Sequence, residues 1–115
     1  MPIKRIEIDD LINQHYGIKR ATRTIGQAME VFQKLREGGK WCCLDISSDF
    51  HYCWLVKLTR FEIDKHEPEI TVSSHDLKLA ICFAALLSTE RVNTLKLFLL
   101  GAHMKQDGKI TRIVI

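Results

Sequence analysis

Lys19, Arg20 and Arg23 place three cations in the run just ahead of Thr24, where the pattern further on predicts the start of a helix. Guanidinium groups bind phosphates and carboxylates in bidentate fashion, and the unpaired amides and dipole of a helix N-terminus favour the same charge. Arg20 and Arg23 are therefore better candidates for holding a small anion than Lys57 and Arg60 in a predicted strand. The plainer alternative for them is a solvated loop. Cys42, Cys43, His51 and Cys53 come nearest to a metal set, drawn from two adjacent predicted strands. Neighbours on a strand point to opposite faces, so Cys42 and Cys43 cannot share one tetrahedral centre without distortion; no metal and no cofactor is expected. His15, His51, His66, His75 and His103 are scattered without HExxH-type spacing. His75 and Cys82 lie seven residues apart on a predicted helix, two turns away from each other and too far to pass a proton directly. With no GxSxG elbow, P-loop or GxGxxG run, the chain reads as non-catalytic.

The elements that position these residues follow from periodicity. Ser73 to Ser88 is the most apolar stretch: from Leu77 to Leu87 only Lys78 is polar. Ser73 or Ser74 is the expected N-cap, and Asp76 suits the positive end of the helix dipole. A helix apolar on all sides must be covered on nearly all sides, and this one is too short to span a bilayer. A sheet covers one face; the other needs a second helix or a partner subunit, and an oligomer is expected.

Ile6 to Tyr16, with Ile8, Leu11, Ile12 and His15 at helical intervals, predicts a first helix ending at Gly17 with its polar side in water. Thr24 with Gln27 predicts a capping box for a second, whose stripe of Ile25, Ala28, Met29, Phe32 and Leu35 runs to Gly38. Lys40 to Ile46 and His51 to Phe61 read as antiparallel strands joined by a turn at Ser47, Ser48 and Asp49, with Tyr52, Trp54, Val56 and Leu58 on one apolar face. Glu69 to Val72 adds a short third strand. In the tail, a hairpin turning at Gln106, Asp107 and Gly108 is favoured over a fourth helix. The expected fold is α+β: one domain over 1–115, a small antiparallel sheet packed against helices, with a C-terminal β-hairpin.

Composition narrows the function. Seventeen Lys and Arg against 14 Asp and Glu give a net charge of +3, far from the basic face of a general nucleic-acid binder but compatible with a small anionic ligand. The first ten residues carry no signal peptide or membrane anchor, and four cysteines without CxxC spacing read as buried thiols in a reducing compartment. A cytoplasmic protein is expected, with no membrane partner.

The order Ile8-Asp9-Asp10-Leu11-Ile12-Asn13, then Ile25 to Leu35, then two strands rich in Trp and Tyr, then Leu77 to Leu87, resembles the small phage domain called the phage ABA sandwich. The likeness covers about the first three quarters of the chain. Where that domain commonly has a basic residue after Ala-Ile-Cys, this chain has Phe83. Small phage proteins of this size include oligomeric sponges that sequester nucleotide immune signals, such as the Thoeris anti-defence proteins, which hold a cyclic ADP-ribose-type molecule between subunits with arginines, an aromatic ring and an asparagine. Phe83 and Asn93, with Arg23 and Arg112, are similar in residue type to that set. The resemblance implies a phage-encoded homo-oligomer that sequesters a nucleotide second messenger, its pocket lined by Arg20, Arg23, Phe83, Asn93 and Arg112 and placed in the cytoplasm of a bacterial host. Packing in the core is the plainer role for Phe83. The alternative function is a module that binds and blocks a host protein, through Trp41 and Trp54 or the C-terminal hairpin.

Overall fold

The computed structural model describes residues 4–38, 41–48, 53–60, 70–88, 103–107 and 110–115, with backbone alone for 41–43, 60, 103–107 and 110–112. Its elements are α1 (Arg5–Tyr16), α2 (Ile25–Glu37), β1 (Trp41–Ser48), β2 (Trp54–Arg60), β3 (Ile70–Ser74), α3 (Leu77–Leu87), β4 (His103–Asp107) and β5 (Ile110–Val114). The α+β class expected from the sequence is the observed one.

The sheet has the order β1-β2-β3-β5-β4. β1, β2 and β3 form an antiparallel meander, but β5 lies parallel to β3, with Val72 opposite Ile113. The sheet is therefore mixed rather than antiparallel. Two parallel neighbours need a crossover, and the connection from β3 to β5 contains α3. β4 and β5 pair antiparallel, Asp107 opposite Ile110, so Gln106 and Asp107 belong to a strand and not to the expected turn. Likewise Ser47 and Ser48 end β1, paired to Leu55 and Trp54, instead of turning. The expected faces of Leu95 to Ala102 lie outside the described residues.

Alternation fixes which side of the sheet is covered. Val56, Leu58 and Val72 are buried and share one face; Leu55, Lys57, Thr59 and Thr71, on the other, are half-buried. α3 packs on β2 and β3 with one side and on α1 and α2 with the other. Leu79 through Leu86 are all buried as a result. The all-apolar helix is thus hidden by the chain's own second layer of helices, and its composition does not call for a partner subunit. Small residues make this possible: Ala80 and Ala84, one turn apart on the same face, let a neighbour approach closely.

Three local details differ from expectation. The N-cap of α3 is Asp76, whose Oδ1 accepts from the Lys78 and Leu79 amides at 3.1 and 3.4 Å; Ser74 Oγ accepts instead from the Asp76 amide at 3.1 Å. In α2 the buried face is Ala28, Val31 and Phe32, with Leu35 partly covered, so Val31 takes an edge of the stripe while Ile25 and Met29 are exposed. The third is Asp9, which is buried rather than on a wet face. α1 ends at Gly17 as its sequence predicts, in the left-handed region at φ 71°.

Candidate functional site

Asp9 explains how the basic loop is built. Its Oδ1 accepts from the Thr22 amide at 3.0 Å and from Thr22 Oγ1 at 2.7 Å, and its Oδ2 lies 3.5 Å from Arg23 Nε. Thr22 is itself fully enclosed, as are Ala21 beside it and, nearly so, Ile18. A carboxylate is removed from water only where hydrogen bonds and a counter-charge replace hydration, and here a loop amide, a hydroxyl and a guanidinium do so. The segment between α1 and α2 is therefore a built corner, with Ile18, Ala21 and Thr22 as buried anchors and its three cations turned outward.

Other contacts tie the same corner to the rest of the fold. Arg5 donates to the Thr22 carbonyl at 3.2 Å and pairs with Asp76 at the head of α3. Partial burial pushes the Asp76 carboxyl up, but the hydrogen bond and charge of Arg5, the Leu79 amide and Lys78 outweigh it and hold the group below the usual carboxylate range. At the start of α2, Thr24 Oγ1 accepts from the Gln27 amide at 3.2 Å, donates to Gln27 Oε1 at 2.9 Å, and the Gln27 side-chain amide donates to the Lys19 carbonyl at 2.8 Å. The expected capping pair is present, and its glutamine also fastens the loop. Arg20 turns the chain at φ 54°, a left-handed conformation that L side chains seldom adopt, and its carbonyl accepts from the Arg23 amide at 3.0 Å.

Two open hollows meet at this turn. One, of about 310 Å³, is lined by Ile6, Asp9, Asp10, Asn13, Lys19, Arg20 and Arg23. The other, of about 660 Å³, is lined by Arg20, Arg23, Thr24 and Gln27 at the mouth of α2. Arg20 and Arg23 border both. Half of the Arg23 side chain is in solvent, at 51% exposure, and its charge is shared with Asp9. Arg20 and Lys19 carry side chains without an ion pair among the described residues. The corner offers cations for an anionic group and, in Asp10 and Asn13, acceptors for hydroxyl donors.

The sequence's five candidates thus separate. Arg20 and Arg23 come together as expected. Phe83 is 0% exposed in the middle of α3, where the neighbouring elements enclose its ring and leave no face to stack on a base. Arg112 lies on β5, described there by its backbone alone, and Asn93 lies outside the described residues. Sequence reasoning missed Asp10, Asn13 and Gln27 as linings; Asp9, four residues before Asn13 and one before Asp10, gave a signal in the paired acids facing three cations across a short loop.

No group of three or more His, Cys, Asp or Glu side chains that could hold a metal ion occurs among the described residues. No described helix is long and apolar enough to cross a membrane. Together the fold and the corner define a compact α+β domain with a mixed-charge recess between its first two helices. No protein-family model, curated protein or solved structure matches the chain.

Proposed function

We propose that this chain is a non-catalytic binding protein for a small anionic, nucleotide-like ligand held at the Arg20–Arg23 corner. The observation that carries the reading is the pair of outward cations, Lys19 and Arg20, set over a recess whose loop is anchored by the buried Asp9–Thr22 contact. A phosphate fits the guanidinium of Arg20, shared with Arg23 and supported by the first amides of α2. Sugar hydroxyls fit Asp10 and Asn13 beside it. With Phe83 enclosed, base stacking falls to an arginine plane, which also binds aromatic faces.

The phage-like sequence order extends the proposal to sequestration of a nucleotide immune second messenger of the cyclic ADP-ribose or cyclic oligonucleotide type, countering bacterial anti-phage defence in the host cytoplasm. In that form a second copy closes the open recess. The ligand leaves chemically unchanged. Isothermal titration against a panel of cyclic nucleotides tests the binding, and chromatography of the ligand released by heat tests its integrity. Heat of binding that disappears on replacing Arg20 supports the proposal; silence across the panel removes it, and an altered ligand makes the chain an enzyme.

A second reading, a module that blocks a host protein, draws support from Ile46 at 40% and Trp54 at 39% exposure. Both alternate onto the sheet face that elsewhere packs on α3. A stoichiometric host protein retained from lysate by the wild type and lost on Trp54→Ala favours that reading.

A further inference from the structure

Cys53 stands at the entrance to β2, and His75 lies between β3 and α3. Antiparallel pairing sets Trp54 opposite Ser74, so the residue before one meets the residue after the other at the end of the ladder. Cys53 Sγ lies 3.7 Å from His75 Nδ1 and 3.6 Å from Nε2, and the contact is open to solvent. The near-equal distances mean that the sulfur faces the ring between its two nitrogens and not along either lone pair. The imidazole is exposed, and a turn about its Cβ–Cγ bond brings one nitrogen onto the thiol. Asp76, next along the chain, is taken up by the α3 amides, Arg5 and Lys78. The other described thiol is the opposite case: Cys82 is fully enclosed in α3, and burial, with the charges of Asp9 and Asp76, pushes it up to about 12. Neither is in a disulfide.

We propose that Cys53 is a thiol-exchange site with His75 as its base, and that the co-reactant is a low-molecular-weight disulfide of the glutathione class. The imidazole takes the S–H proton as the Cys53 sulfur attacks one sulfur of the disulfide. A new S–S bond forms to Cys53, the S–S bond of the co-reactant breaks, and the leaving thiolate receives the proton from the imidazolium. The products are a mixed disulfide on Cys53 and one free small thiol, so atoms, electrons and protons balance between the two reactants alone. The site is remote in sequence from the Arg20–Arg23 corner and independent of its ligand.

The test is incubation of the full-length protein with oxidised glutathione, following adducts by intact mass and locating them by peptide mapping. The first adduct is expected on Cys53 and is absent from Cys53→Ser. His75→Gln is expected to slow it about fivefold or more near neutral pH, with the two rates converging above about pH 9.5, where thiols ionise without a base. A merely structural role for His75 leaves the gap unchanged with pH. The wild type supplies a check that needs no variant: Cys53 should react faster in the native than in the urea-unfolded protein. A first adduct on another cysteine, equal neutral rates for wild type and His75→Gln, or slower reaction in the native state overturns the proposal.

Discussion

A buried carboxylate among neutral groups is costly unless its oxygens are occupied, and the two Asp9 oxygens carry three contacts that join α1 to the loop after it. Asp9→Ala strands the Thr22 amide and hydroxyl in the core. It is expected to cost about 2–3 kcal/mol, read from urea unfolding, the range for leaving buried polar groups unpaired. The same substitution should loosen the Arg20 turn, seen as large shifts for residues 18–23 in an amide NMR spectrum. Asp76 gives a pH signature. Its proton is bound more weakly in the folded chain than in the unfolded one, so its contribution is complete above the ordinary carboxylate value of 3.8 and is lost as pH falls through the lower folded value. Asp76→Ala should therefore cost about 1 kcal/mol at neutral pH through the lost cap, and the difference from wild type should shrink as pH is lowered below about 4. At this scale the sequence was half legible: it marked Arg20 and Arg23, but not the burial of Asp9, because an acid in the first turns of a helix ordinarily faces water.

The helices were read from side-chain spacing, which depends on local geometry alone. α1 falls within a residue of the expected limits, α3 begins two to three residues later than its expected cap allows, and Thr24 with Gln27 opens α2 as a capping pair. What spacing cannot supply is the side from which a neighbour approaches. α2 is therefore rotated relative to the expected stripe, burying Val31 and exposing Ile25 and Met29. Ser73 and Ser74 failed as caps because β3 runs through both, leaving Asp76 as the first residue able to turn from strand to helix. Gly17 tests the C-terminus of α1. A methyl group there meets Lys34 Nζ at 3.7 Å, ordinary contact, so the expected loss of about 1 kcal/mol for Gly17→Ala comes from the left-handed φ of 71° and not from a clash.

For the whole molecule, the decisive feature is the position of α3 between the sheet and the other two helices. Hydrophobic composition showed that this segment had to be covered all round, and an oligomer was the expected cover; the chain's own α1 and α2 supply it. A core closed within one chain is accordingly expected to stay folded when the protein is diluted until copies separate, read as an unchanged far-ultraviolet circular-dichroism spectrum, whereas a core completed by a second subunit unfolds on dilution. The parallel pairing of β3 with β5 was illegible because long-range strand order leaves no mark on the local pattern of either strand.

Arg20 joins these scales, since it is exposed, set in a left-handed turn and common to both hollows. Arg20→Gly removes the side chain and suits the backbone conformation, so stability should stay within about 0.5 kcal/mol of wild type. The most direct measurement is titration calorimetry of a cyclic ADP-ribose-type nucleotide and a set of cyclic dinucleotides into the wild type and Arg20→Gly side by side. Binding of one of them by the wild type, weakened at least tenfold (about 1.4 kcal/mol) in a variant that remains folded, is the expected result. Equal binding by both proteins contradicts the placement of the ligand at this corner.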